Sequence, residues 1–255
     1  MDYDIIIIGA GIAGLTSAIY AKRAGKNVLI IESKIPGGQI VNAIGVENWP
    51  GEATISGADL SEKIHQQVAK LGIKTEYDEV LSVEKNSEKN FTVKTHDNEF
   101  TTKSVIIAVG AEPRKLSEKQ TKDAGKRAIS YCATCDGALY QDQPVVVVGS
   151  GNTAKHEISY LENIASKVYQ IHHDDPIPED AKAVFVAIGH VPATKAFKEI
   201  VDLDEKGYII AGEDCITSCP GVFVAGDCRT KGVRQLVTAA ADGAVATEAA
   251  IKYLD

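Results

Sequence analysis

Ile5-Ile6-Ile7-Ile8 runs directly into Gly9-Ala10-Gly11-Ile12-Ala13-Gly14, and 140 positions later Val145-Val146-Val147-Val148 runs into Gly149-Ser150-Gly151-Asn152-Thr153-Ala154. An unbroken β-branched run has no polar face, so each predicts a strand covered on both sides, as in a parallel sheet. The glycines permit a tight turn and let the backbone approach a pyrophosphate. The helix that follows aims its unpaired N–H groups at that charge. In the first copy this helix starts near Ile12 and stops at Gly25, a residue suited to ending a helix. A second strand, Asn27 to Ile31, ends at Glu32, eighteen positions past Gly14, close to the usual spacing of a ribose-binding carboxylate. A lone glycine triplet is weak evidence. Strand, glycines, helix, strand and acid in this order point strongly to a dinucleotide-binding unit.

The second copy continues with a helix and a strand from Lys167 to Ile171. Each copy closes on a similar strand, Val105 to Val109 before Gly110 and Val184 to Ile188 before Gly189. The fold class is therefore α/β, with two doubly wound, Rossmann-like units. The copies differ in length. The first spans Gly9 to Gly110, and the second only Gly149 to Gly189, a loss of about sixty residues. Twelve residues, His172 to Ala183, join the last two strands of the second copy, and Pro176 and Pro178 leave little room there for a crossover helix. The position equivalent to Glu32 falls on His172, so the ribose-reading corner is His172-His173-Asp174-Asp175. It holds two acids and no Arg or Lys for a 2′-phosphate. Gly149, Gly151 and Asn152 are expected to survive as a packing turn.

The formal net charge of -8 argues against general nucleic-acid binding. Asp2 and Asp4 stand where a secretory leader needs basic residues. Ile5 to Ala21 is uncharged and nearly long enough to span a membrane, but glycines interrupt it, and a buried strand turning into a buried helix explains it better. No membrane association and a cytoplasmic location are the expectations.

Five cysteines in a chain of this length do not form a secreted disulfide framework. Cys132-Ala133-Thr134-Cys135, between the two units, reads as a redox dithiol whose spacing brings the sulfurs within cross-linking reach. A zinc site is the alternative. It needs a second pair of ligands, and Cys215 and Cys219 are separated by three residues rather than two. Asp136 is either a proton donor to a departing thiolate or a helix-capping acid. Cys215, Cys219 and Cys228 are read as structural, Trp49 as packing, and His172-His173 as part of a solvated turn.

Six segments together resemble the low-molecular-weight flavin thioredoxin reductases. They are Gly9 to Gly14, Pro36-Gly37-Gly38-Gln39, Glu47-Asn48-Trp49-Pro50-Gly51, Cys132 to Gly137, Gly221 to Asp227 and Arg234 to Ala240. The resemblance implies an FAD domain of residues 1–113 and 191–255. An NADPH-type domain, here truncated and carrying the C-x-x-C, is inserted as residues 114–190. It implies that Gly9, Gly11, Ala13, Gly14, Glu32 and Ser33 hold the ADP half of FAD. Gly38, Gln39, Asn48, Val80, Gly110 and Gly226 would line the rest, and Asp227 would bond the ribitol. Arg234 and Gln235 would open a helix whose positive end faces the flavin pyrimidine. It further implies that Cys135 faces the flavin, Cys132 attacks the partner disulfide and Asp136 acts as acid. Thioredoxin is the implied partner and a homodimer the implied assembly.

The chain departs from NADPH-using members at His173 and Asp174, where they carry basic residues, and in the shortened second unit. It looks more like the ferredoxin-dependent flavin thioredoxin reductases, which makes ferredoxin the expected electron donor. Alternatives are an NADH- or NADPH-dependent reductase with a compact nucleotide site, and a flavin redox sensor without turnover. Two basic clusters are candidate docking surfaces for an acidic ferredoxin. The first is Arg114, Lys115, Lys119, Lys122, Lys126 and Arg127; the second is Arg229, Lys231 and Arg234.

Overall fold

The computed structural model describes residues 3–43 and 45–255; Asp2 lies outside the described residues. The chain divides into two compact units, Met1–Ala111 with Pro192–Asp255, and Glu112–Val191. The divisions fall at 111/112 and 191/192, against expected positions of 113/114 and 190/191.

The first unit begins with β1 (Tyr3–Ile8), α1 (Ile12–Arg23) and β2 (Val28–Glu32), followed by α2 (Gly57–Lys70) and β3 (Lys74–Tyr77). An antiparallel run of β4 (Val80–Ser87), β5 (Asn90–Thr95) and β6 (Glu99–Ile107) comes next. The sheet order is β3-β2-β1-β6-β5-β4. Strand β6 divides its pairing. Its first half lies against β5, and Val105 to Ile107 pair in parallel with a strand from the C-terminal part of the chain, Val222–Val224.

The four-isoleucine run is buried on both faces, as its lack of a polar side predicts. Ile5 and Ile7 pack with the helix side, and Ile6 and Ile8 pack with Val83, Phe91, Val93 and Phe197 on the other. At 0–4 % exposure each contributes about 2 kcal/mol of burial. Between Ile8 and β2 the chain turns as expected, and Gly25 takes φ +76 just past the end of α1.

The two divisions fall within β7 (Ala111–Pro113) and β12 (His190–Pro192), and between them the second unit contains α3 (Glu118–Ala124), β8 (Ala128–Ser130), α4 (Ala133–Asp136), β9 (Pro144–Val148), α5 (Asn152–Leu161), β10 (Lys167–Ile171) and β11 (Ala183–Val186). Its sheet is parallel throughout, in the order β10-β9-β11-β8. One face is covered by α4 and α5 through Ala133, Ala154 and Leu161; the other is covered by Leu116, Ala124, Ile177 and Ala181.

No helix forms between β10 and β11, as the two prolines predict. A link without a helix leaves backbone polar groups that need partners, and side chains of α3 and of the turn after it supply them. Gln120 Nε2 donates to the carbonyls of His172 (3.2 Å) and Asp175 (3.1 Å). Asp123 Oδ2 accepts Ile177 N–H at 2.6 Å. Arg127 donates to the carbonyls of Ala181 (2.8 Å) and Glu179 (3.0 Å). Arg127 therefore leaves the first basic cluster: its guanidinium is a structural tie, not a docking charge.

The chain returns to the first unit with β13 (Val222–Val224) and α6 (Leu236–Leu254). Helix α6 packs closely on α1. A Cβ at Gly243 would collide with the Ala13 carbonyl, and Thr247 donates to the Ser17 carbonyl at 3.2 Å. Among the described residues, no helix is long and apolar enough to cross a membrane.

Candidate functional site

In the first unit the predicted dinucleotide residues gather where β1, β2 and β13 end. Gly9 takes φ +103 beside the Ala108 carbonyl, which a Cβ would strike. A Cβ at Gly14 would strike the carbonyl of Gly9, so this glycine lets α1 lie against β1. Gly11 is different. It has open space around its missing side chain and an ordinary φ of -72, so the protein's own packing does not demand glycine there. The bare backbone there leaves room for a ligand to lie against it. Glu32 is buried at the end of β2, and its carboxylate accepts Ala10 N–H at 2.5 Å and Lys34 N–H at 2.8 Å. Ser33 and Gly38 are exposed nearby in the chain, Gly110 takes φ +68, and Val80 is buried at the start of β4.

Several of the other predicted residues are tied together. Gln39 donates through Nε2 to the Ala111 carbonyl. Asn48 Nδ2 donates to Gln235 Oε1 at 3.2 Å. Gln235 caps α6 reciprocally with Thr238. Arg234 donates to the carbonyls of Asp227, Arg229 and Lys231 and lies 4.3 Å from the centre of the Tyr208 ring, so it holds the loop before α6 in shape. Gly226 lies against Ala13, where an added Cβ would come within 3.0 Å of the Ala13 Cβ.

Asp227 Oδ1 is shielded from solvent and has no protein partner. Burial pushes its carboxyl above the usual range; Lys231 and Arg234 pull it back, and the Asp242 charge adds to the rise. A buried polar atom without a partner signals a group that completes it. The open backbone at Gly11 and the orphaned oxygen of Asp227 together fit FAD.

The second basic cluster is not a docking surface. Arg229 is 1 % exposed and donates to Asp242 at 2.9 Å through both Nε and Nη2; Lys231 Nζ donates to the same carboxylate at 2.8 Å. Gly226 N–H adds a fourth bond at 3.0 Å. Burial opposes charge on Asp242, yet the bonds from Arg229 and Lys231 and their charges hold its carboxyl below the usual range. The signal for this cluster was Asp242 itself, an acid within Ala239-Ala240-Ala241-Asp242-Gly243-Ala244.

In the second unit, Cys132 and Cys135 form a disulfide across one turn of α4, with Cα atoms 5.3 Å apart. Cys135 is exposed and Cys132 half-buried. Cys132 stands at the N-cap of α4, and Asp136 ends α4 and stands at the N-cap of the 3-10 turn Gly137–Tyr140, where its side chain makes no capping bond. Its carboxylate accepts the Ser130 hydroxyl at 2.6 Å, and Ser130 Oγ in turn accepts Cys132 N–H at 3.1 Å. Ser130 thus couples the acid to the backbone of the first cysteine. Sequence reasoning did not identify Ser130, because a serine two positions before a cysteine carries no periodic signal.

Cys215 and Cys228 are fully buried, and burial pushes both thiols up to about 12. Cys219 is half-buried and raised for the same reason. Trp49 packs with Ile40, Val46, Ile55 and Leu60.

The turn that would read a nucleotide ribose in the second unit is exposed. Asp175 Oδ2 accepts His172 N–H at 2.8 Å, and His173 Nδ1 lies 3.1 Å from Asp174 Oδ2. A bond from Ser117 and the nearby His173 and Lys119 hold the Asp174 carboxyl below the usual range, against the opposing effect of burial. Lys119 Nζ reaches the Asp174 carbonyl at 3.5 Å, a basic neighbour that the local sequence of the turn does not reveal.

Comparison with known proteins places the chain in a family. Residues 3–179 and 171–243 match the family described as pyridine nucleotide-disulphide oxidoreductase. Thioredoxin reductase of Listeria innocua serovar 6a is 36 % identical, with 99 % of this chain and 94 % of the relative covered. The alignment spans 301 positions, more than the 255 of this chain, so the relative carries residues that this chain lacks. The crystal structure of thioredoxin reductase from Streptococcus pyogenes MGAS5005 matches with a TM-score of 0.91 at 33 % identity, covering 99 % of this chain and 98 % of that one. A ferredoxin-flavin thioredoxin reductase from Clostridium acetobutylicum matches with a TM-score of 0.64 at 27 % identity, covering 100 % and 98 %.

Proposed function

The chain belongs to the pyridine nucleotide-disulphide oxidoreductase family as an FAD-binding disulfide oxidoreductase of thioredoxin reductase type, and from that premise we propose that it reduces thioredoxin with electrons from ferredoxin. The observation that carries the donor is the helix-less link between β10 and β11, held by Gln120, Asp123 and Arg127 where a full nucleotide domain has more chain. Two further features support it. The turn His172–Asp175 is acidic, and Arg114, Lys115, Lys119, Lys122 and Lys126 are exposed as a basic surface for an acidic partner. A low-potential ferredoxin near roughly -400 mV lies below thioredoxin near about -270 mV, so two electrons fall by on the order of 6 kcal/mol.

When bound, FAD supplies a site that accumulates two electrons for delivery to a disulfide. In the reading proposed here, residues 1–111 and 192–255 are the FAD domain. Gly9, Gly11 and Gly14 give its pyrophosphate a bare backbone, Glu32 takes a ribose hydroxyl, and Asp227 bonds the ribitol. Residues 112–191 are the redox domain. Cys135 receives electrons and Cys132 is the nucleophile towards thioredoxin, with the Ser130-held Asp136 placing a proton beside the departing thiolate. The expected assembly is a homodimer, and the reaction suits the reducing cytoplasm.

A nicotinamide donor is the second reading. It is favoured by the glycine turn before α5, where Gly149 retains φ +143 against the Ala187 carbonyl and Gly151 caps the helix. Anaerobic flavin bleaching separates the two. Reduced ferredoxin should bleach the flavin within turnover time and NADPH or NADH should not. Fast, saturable bleaching by micromolar NADPH or NADH sinks the ferredoxin proposal and leaves the disulfide reductase class intact.

A further inference from the structure

Helix α5 turns Ala154, Ile158 and Leu161 towards the core of its unit, and Glu157 shares that face at helical spacing. A carboxyl is out of place there. Its Oε2 is shielded from solvent with no hydrogen-bond partner. The backbone N–H of Ala133 bonds the carboxyl, and Ala133 packs in the same cluster as Ala154 and Leu161. Ala133 lies inside the Cys132–Cys135 loop, one peptide bond from Cys132. Standard bond lengths then put the Glu157 carboxyl within about 8 Å of the Cys132 sulfur. At that distance, in a half-buried setting, a unit charge alters a neighbour's proton affinity by about tenfold.

We propose that Glu157 is a positioning residue for the Cys132–Cys135 couple, taking up a proton when the disulfide opens and returning it when the disulfide reforms. The proposal rests on the disulfide reductase reading above. Opening the S–S bond takes two electrons, from the enzyme's donor in turnover or from a dithiol reagent in a test. One sulfur gains a proton and the other remains thiolate. That new negative charge disfavours a second one beside Ala133, so Glu157 binds a proton from water. When the thiolate attacks a partner disulfide, the partner's S–S bond breaks and its leaving sulfur takes the electron pair. The second cysteine then gives up its proton and attacks the enzyme sulfur of the resulting mixed disulfide. That bond breaks, the partner's second sulfur leaves with the electron pair and takes the proton, the Cys132–Cys135 bond closes, and Glu157 releases its proton to water. The charge of the site is thus held nearly constant through the cycle.

The surroundings suit this role. Burial raises the Glu157 carboxyl to about 7, opposed only by the Ala133 N–H. No charged side chain contributes. On α5, Lys155 and His156 are exposed; on α4, Asp136 is bonded to Ser130; in the turn that follows, Tyr140 packs edge-on against Phe185. Glu157 is therefore poised between its two forms near neutral pH, and its balance responds to charge on the sulfurs.

The test uses the full chain with FAD bound and the variant Glu157→Gln, which keeps an acceptor for Ala133 and removes the proton site. A reduced-minus-oxidised infrared difference spectrum at pH 7, with a dithiol reagent, should show a protonated-carboxyl stretch gained by the wild type and missing in the variant. Proton uptake per disulfide reduced, followed with a pH indicator, should be larger in the wild type between about pH 7 and 8 and equal in both well below pH 6. An unchanged spectrum and uptake curve in the variant overturn the proposal. If the variant does not fold, the wild-type spectrum decides alone, and no gained carboxyl band overturns it. Thioredoxin reduction is scored separately. A chain that shows the Glu157 signal but does not reduce thioredoxin contradicts the functional reading and not this one.

Discussion

Replacing Asp242 by alanine should destabilise the first unit by about 4 kcal/mol, because removing one partner of a buried ion pair strands the others. Two cations depend on this carboxylate. Arg229 and Lys231 side chains are 1 % and 4 % exposed, and their bonds to it measure 2.8–2.9 Å. Lys231 would be left charged and dry, the remaining carboxylate on Arg229 would be the exposed Glu213 at 3.3 Å, and Gly226 N–H would lose its acceptor. For a chain of this size the loss corresponds to a fall in Tm of roughly 10 °C. The single tryptophan, Trp49, lies in the first unit, so urea unfolding followed by its fluorescence reads that unit directly. The pH dependence has a definite sign. The Asp242 carboxyl is held below its usual range, so the stabilisation is complete above about pH 4 and is lost as the pH falls further. The gap between wild type and variant should therefore narrow only in acid. A companion variant, Arg229→Met/Lys231→Met/Asp242→Leu, should be more stable than Asp242→Ala, since it removes the stranded charges too. A single variant within 1 kcal/mol of wild type, with no acid dependence in the difference, would refute the reasoning.

Gln120→Leu should destabilise the second unit by about 2 kcal/mol, because the carbonyls of His172 and Asp175 lose their donor; faster hydrogen exchange confined to residues 172–182 checks it, and unchanged exchange counts against it. Native oxidised chain treated with an alkylating reagent at pH 8 should take one label, on Cys219, since the buried thiols of Cys215 and Cys228 are raised to about 12; peptide mapping that finds Cys228 labelled contradicts that. Lys122→Glu/Lys126→Glu should slow ferredoxin-driven flavin reduction several-fold at low salt and flatten its salt dependence, while reduction by a small uncharged reagent stays constant. A variant with the wild-type rate and salt slope would show that this surface is not the docking site.

The parts of the fold legible in sequence are those where local pattern and burial agree. Ile5 to Ile8 and Val145 to Val148 read as doubly covered strands because both faces are in fact covered. Pro176 and Pro178 announced the missing crossover helix, and the C-x-x-C spacing announced the disulfide. What escaped notice depends on contacts between distant segments. Arg229 and Lys231 look like surface cations until α6 brings Asp242 beside them, eleven to thirteen positions along the chain. Arg127 was counted in a basic surface, yet it serves carbonyls more than fifty positions away. Ser130 and Glu157 carry no motif; each acquires its meaning only from the group it touches near Cys132. Charge counting sees formal charges, whereas the structure decides which of them are already neutralised.

The central claim is that this chain passes electrons to thioredoxin through Cys132. The most direct measurement is to mix the Cys135→Ser variant with oxidised thioredoxin, after reduction of the remaining thiol, and map the covalent product by mass spectrometry. The account predicts a stable mixed disulfide between Cys132 and a thioredoxin cysteine, formed in high yield because no second thiol is present to resolve it. A product absent from Cys135→Ser but formed through Cys135 in the Cys132→Ser variant would reverse the order of the two cysteines. No mixed disulfide from either variant would contradict the claim itself.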